Sequence, residues 1–134
     1  MSTASTGRQV LVAVYAVFAL AAGARAVVQL ATKADVAPLA YSLSLLAALV
    51  YLVATIALRR LGATAYRVAL AAVTFELVGV IVVGTLTVVD GELFPDQTVW
   101  SGYGVGYGFV PLLLPVAGVW WLLRHRPTEP TPVS

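Results

Sequence analysis

Residues Trp100 to Trp121, WSGYGVGYGFVPLLLPVAGVWW, form a charge-free run that holds five glycines and two prolines. In water, Gly costs about 1 and Pro about 3 kcal/mol relative to Ala inside a helix, so such a run breaks a helix. In lipid the same residues let helices approach closely and bend, provided the freed backbone groups find partners inside the protein. The surrounding solvent therefore decides what this stretch is.

The rest of the chain answers that question. Its 134 residues are 60% hydrophobic and 10% charged, with a mean hydropathy of +0.94, against about 25% charged residues in a soluble domain. A chain this small still exposes about 30% of its unfolded surface after folding, too much for an apolar set of this size to hide in water. The composition predicts an integral membrane protein. With no cysteine and a single histidine, His125, the chain offers no disulfide, thiolate nucleophile or clustered metal ligands, and neither a metal nor a cofactor is expected. The formal charge of +2 is spread over loop ends, which reads as membrane topology and not as a nucleic-acid surface.

Four apolar runs, about 10–31, 39–58, 68–89 and 99–123, each have the roughly 20 residues that cross a ~30 Å hydrocarbon core. The first exceeds the apolar core of a cleavable signal peptide and continues through GARAVVQLATK, so it is expected to remain as a helix. The predicted fold is all-α: a single four-helix transmembrane domain over 1–126, with a disordered Pro/Thr-rich cytoplasmic tail at 127–134. Placing both termini in the cytoplasm of a cell-membrane protein gathers Arg8, Arg59, Arg60, Arg67, Arg124 and Arg126 inside. It leaves Lys33 and the acidic residues Asp90, Glu92 and Asp96 outside, as the positive-inside rule requires. Trp100 at one end of the fourth run and Trp120 with Trp121 at the other read as anchors about 30 Å apart.

On a continuous helix, Ser101, Gly104, Gly108, Pro111, Pro115 and Gly118 share one stripe. The predicted fourth span is thus a close-packed helix kinked near Pro111–Pro115. Two rivals are weaker. A phosphate loop lacks a preceding strand and a Lys-Ser/Thr ending. The tetrapeptide VGYG at 105–108 is similar to the potassium-channel filter TVGYG, but Gly104 replaces the filter threonine and too few residues follow for an inner helix.

Arg25 and Glu76 lie inside apolar runs, where a lone charge costs roughly 2.5 to 3.5 kcal/mol at the bilayer centre, so each calls for a partner or a watery cavity. Gln29 follows Arg25 by one turn. Tyr41, Ser44, Ala48, Tyr51 and Thr55 share a face of the second run, and Ala69, Ala72, Glu76, Gly79, Val83, Thr87 and Asp90 a face of the third. These stripes predict a shared interior with Arg25, Gln29, Tyr41, Tyr51, Glu76, Tyr103 and Tyr107 as candidates for binding a ligand or proton. A direct Arg25–Glu76 pair would have to span an axial gap of roughly 10 Å, with a tyrosine as the alternative bridge. The outer loop DGELFPDQTVW, carrying Asp90, Glu92 and Asp96, suits a cation or paired-acid chemistry less well than a solvated loop in which Asp96 caps the fourth helix.

The Ala/Val/Leu-rich spans, APLAYSLS at 37–44 and TVWSGYGVGYGFVPLLLP at 98–115 together resemble small four-span membrane proteins of high-GC Gram-positive (actinobacterial) bacteria. The resemblance implies a bundle in the cell membrane and carries over no catalytic residue. The leading functional expectation is a non-enzymatic accessory or scaffold bundle that binds lipid or a partner protein, as a homo-oligomer or within a larger membrane complex. The alternatives are a small transporter or ion channel built on Arg25, Glu76 and the tyrosines, and a membrane enzyme, for which no nucleophile with a positioned base is evident.

Overall fold

The structure, a computed structural model, describes residues 3–60, 62–94 and 96–126, and all their regular elements are helical. Helix α1 runs Thr3–Lys33, α2 Pro38–Arg59, α3 Ala63–Val89 and α4 Val110–Arg124. The tail expected at 127–134 lies outside the described residues. Three helices are long and apolar enough to cross a membrane, and a bent fourth segment brings the number to as many as four. Pro38 opens α2 at a position where its missing N–H costs nothing.

The interior is small-residue packing. Helix α2 buries Ala40, Ala47, Ala48 and Ala54 together with every member of its predicted stripe, Tyr41, Ser44, Ala48, Tyr51 and Thr55. Helix α3 buries Ala69, Ala72, Val73, Glu76, Val80, Val83 and Gly84. In α1 the buried set Leu11, Tyr15, Ala22, Ala26 and Gln29 again follows helical spacing. The outer faces carry exposed Val17, Leu20, Leu49, Val78, Val82 and Leu113, as lipid-facing surfaces do. Consecutive helices pack on one another, while α1 and α4 meet chiefly where Trp121 lies against Gly7.

The fourth segment departs from the continuous helix predicted for it. Short 3-10 turns at Ser101–Tyr103 and Val105–Tyr107 precede α4, and the chain bends by 102° between them and the helix. All eight residues from Gly102 to Phe109 would share the right-handed φ of a continuous helix, yet five of them, Gly102, Tyr103, Gly104, Gly108 and Phe109, have positive φ. Gly104 shows why a side chain is excluded: at φ +86° its Cβ would stand 2.7 Å from the Pro111 ring. The predicted stripe from Ser101 to Gly118 is therefore split between two directions, and the break falls before Pro111, not between the prolines. Gly108 has open space around it, so its glycine serves the backbone turn at φ +65° and no helix contact.

Candidate functional site

The turn-rich stretch folds back into the bundle between α2 and α3. Thr98, Val99, Trp100 and Ser101 are all buried. The backbone N–H of Val99 donates to Ser44 Oγ at 3.3 Å, and that of Gly102 to Thr87 Oγ1 at 2.9 Å. Within the segment, Thr98 N–H donates to Ser101 Oγ (2.8 Å) and Trp100 N–H to Thr98 Oγ1 (3.0 Å). Irregular backbone at membrane depth is tolerated only when its polar groups are satisfied by protein, and these side chains do that.

Trp100 is the centre of this plug. It is 1% exposed, so it is not the interfacial anchor its position suggested. Its indole lies over Gly79, whose Cβ would stand 2.7 Å from the ring, and its Nε1–H donates to the Tyr51 hydroxyl at 2.9 Å. A glycine on α3 thus opens the slot that the tryptophan fills. Trp120 keeps the anchor geometry, exposed and with the Arg124 guanidinium 4.9 Å over its ring.

One turn inward from Gly79 sits Glu76. It is the middle residue of Ala63–Val89, about 20 Å of helix from either end. Its side chain is fully buried, and neither carboxyl oxygen has a hydrogen-bond partner. Tyr15 from α1 and Tyr51 from α2 are near enough to feel its charge. The Tyr15 hydroxyl, also buried, is the group placed closest to bonding that carboxyl, in looser geometry than the hydrogen bonds above. The Tyr15 and Tyr51 rings are 6.0 Å apart, and Phe18 joins Tyr51 to Tyr107 with centroids at 6.1 and 5.6 Å.

Arg25 does not reach Glu76. It is exposed on α1 and donates from Nη1 to the Tyr107 hydroxyl at 3.2 Å, so a tyrosine takes the role that a direct ion pair was considered for. Gln29 is buried on the same helix. Between Arg25, Ser44, Gln97 and Tyr107 only about 10 Å³ is open, at the limit of what one water needs. Tyr103 exchanges a 2.9 Å hydrogen bond with Thr85 and packs on Gly84.

Asp96 does not cap α4, which begins at Val110. Instead its Oδ2 accepts from the buried Tyr41 hydroxyl at 2.7 Å and pairs with Lys33 Nζ at 3.4 Å, while Oδ1 accepts the Gln97 N–H at 2.8 Å. Asp90 and Glu92 are exposed, and among the described residues no group of three acidic or histidine side chains is placed to hold a metal. The Tyr41 hydroxyl first, then the Gln97 N–H and Lys33, hold the Asp96 carboxyl below the ordinary carboxylate range. A depressed folded pKa contributes stability that is complete above the unfolded value, about 3.9, and is lost as pH falls through the folded value. Thermal unfolding in detergent should therefore show an acid-side loss of stability below about pH 4 that is missing in Asp96→Asn. An identical acid limb in that variant would place the loss elsewhere.

Two carbonyls of the VGYG stretch and its flank are engaged within their own turns. The Gly104 carbonyl accepts from the Tyr107 and Phe109 N–H groups, and the Val105 carbonyl from Gly108 N–H. Those oxygens are spent on their own turns.

Sequence reasoning missed Tyr15, Trp100 and Thr98 as parts of the interior. Tyr15 was signalled by its spacing from Leu11, Ala22 and Ala26; the others are joined only by the tertiary fold.

No known protein family, curated protein or solved structure matches this chain.

Proposed function

We propose that this chain is a four-span bundle of the cell membrane with both termini cytoplasmic, acting as a non-enzymatic accessory or scaffold that binds lipid or a partner protein. The observation that supports this reading most is the plug. Residues 96–102 spend their polar groups on Ser44, Tyr51, Thr87, Tyr41 and one another, so the outer half of the interior is committed to holding the fold together. A permeation path or a catalytic cleft would need such groups to face a substrate.

Because the chain has no cysteine, single introduced cysteines report both topology and closure. With an impermeant thiol reagent, Gln97→Cys should react on intact cells and Thr64→Cys only after permeabilisation. Val80→Cys, fully buried beside the plug, should stay unreactive even to a small permeant reagent. Labelling of Thr64→Cys from outside would overturn the topology, and rapid labelling of Val80→Cys would overturn the closed interior.

Glu76 supports a second reading. A fully buried carboxyl without a bonded partner at mid-helix is expensive, and intramembrane acids of this kind mark proton or substrate sites. On this reading the bundle is a small proton-linked transporter in a closed state, with Tyr15 and Tyr51 as the hydroxyls nearest the acid.

A further inference from the structure

At the opposite end from the plug, a cavity of about 190 Å³ opens between the ends of α1, α2, α3 and α4. Arg8, Arg60, Tyr66, Trp121 and His125 line it, and no acidic side chain does. Among the described residues, the single ion pair is Lys33–Asp96 at the far end, so the Arg8 and Arg60 guanidiniums have no counter-charge there. His125 is fixed at the rim. Its ring stacks on Trp121 at 4.5 Å, and its Nδ1 donates to the Trp121 carbonyl at 2.8 Å. Tyr66 donates to the Leu122 carbonyl at 2.9 Å, and Trp121 Nε1, buried, has no acceptor.

A second hollow of about 410 Å³ lies between α2 and α3, lined by Val53, Ile56, Thr64, Ala65 and Val68, and it shares Ala57 and Arg60 with the first. Val53, Ile56 and Val68 are exposed there, facing where lipid chains would be. An apolar groove that ends in a cationic cavity at the arginine-rich end of the bundle has the polarity profile of one molecule: a phospholipid whose headgroup is anionic. Guanidinium groups bind phosphate oxygens in bidentate fashion, and basic pockets between transmembrane helices at the cytoplasmic side suit such headgroups.

We propose that this chain holds an anionic phospholipid, with its phosphate between Arg8 and Arg60 and an acyl chain in the Val53–Ile56–Val68 groove. The proposal rests on the lipid-binding reading above and gives that reading a place and a headgroup chemistry.

The test uses the purified full chain in mild detergent, with phosphatidylglycerol, phosphatidylcholine and inorganic phosphate titrated separately and binding read by native mass spectrometry and thermal shift. Phosphatidylglycerol should bind at least tenfold more tightly than phosphatidylcholine, and inorganic phosphate at matched concentration should give no shift. The double variant Arg8→Gln/Arg60→Gln should lose that selectivity, while Arg124→Gln, outside the cavity, should keep it. If the double variant is misfolded by circular dichroism, the wild-type chain still decides, because its selectivity should fall as NaCl rises from 0.05 to 0.5 M. Selectivity retained in the folded double variant, or unaffected by salt, would overturn this site while leaving lipid binding intact. A shift with inorganic phosphate equal to that with phosphatidylglycerol would reassign the cavity to a free anion and overturn the lipid. Binding of neither lipid by the wild-type chain would remove the lipid-binding reading itself.

Discussion

Replacing Trp100 by alanine is expected to lower stability by about 3 to 5 kcal/mol, the range for removing a large buried aromatic from a packed core. The size follows from its position. The side chain is 1% exposed, lies on Gly79 of α3, and donates to Tyr51 of α2, so one residue closes the contact between two helices and the plug. Trp100→Phe keeps one aromatic ring in the slot but loses the Nε1–H bond, about 1 kcal/mol, together with part of the packed area, so its loss should lie between that value and the alanine variant's. The converse change, Gly79→Val, puts a side chain into the slot and should unseat the plug from the other side. Reversible unfolding in detergent measures all three. A loss below about 1 kcal/mol for Trp100→Ala would show that the turn segment does not sit in the bundle.

The second large effect has the opposite sign. Glu76→Leu is expected to raise stability by about 1 to 3 kcal/mol, because it replaces a buried carboxyl that has no bonded partner by an apolar side chain of similar length. Arg25 lies exposed and bonded to Tyr107, so Arg25→Leu should have a small and independent effect. The double variant should equal the sum of the singles to within about 0.5 kcal/mol. Had the two residues formed a buried pair, each single change would cost about 3 to 5 kcal/mol and the double would recover part of it. A loss in Glu76→Leu that is not rescued by Arg25→Leu would instead show that a hydroxyl, with Tyr15 the nearest candidate, bonds the acid in the bilayer.

The three long helices were legible because their burial follows a single period. Tyr41, Ser44, Ala48, Tyr51 and Thr55 fall on one face of α2, and small residues flank Glu76 on α3; spacing alone orders both. The fourth segment was not legible for a physical reason. A Gly/Pro-rich apolar run is compatible with a close-packed lipid helix and with a chain of tight turns, and the choice depends on partners from elsewhere. Here Ser44, Tyr51, Gly79 and Thr87 accept the turns, and none of them is near residues 96–109 in sequence. Trp100 was misread for the same reason: a tryptophan at the end of an apolar run suits a membrane surface equally well until Gly79 shows a slot of its size. Likewise Arg8 and Arg60 read as topology charges and His125 as a lone histidine, and only the packing of four helix ends gathers them around one cavity.

Whether the buried Glu76 exchanges protons is what separates a passive scaffold from a proton-linked transporter. The closed-bundle account rests on the plug staying seated above Glu76. The most direct test is proton flux in liposomes that hold the purified chain and a trapped pH dye, with an imposed pH gradient and valinomycin to clamp the membrane potential. The scaffold account expects decay of the gradient no faster than in protein-free liposomes, and no difference between the wild-type chain and Glu76→Gln. Rapid decay with the wild-type chain that is abolished in Glu76→Gln would contradict it.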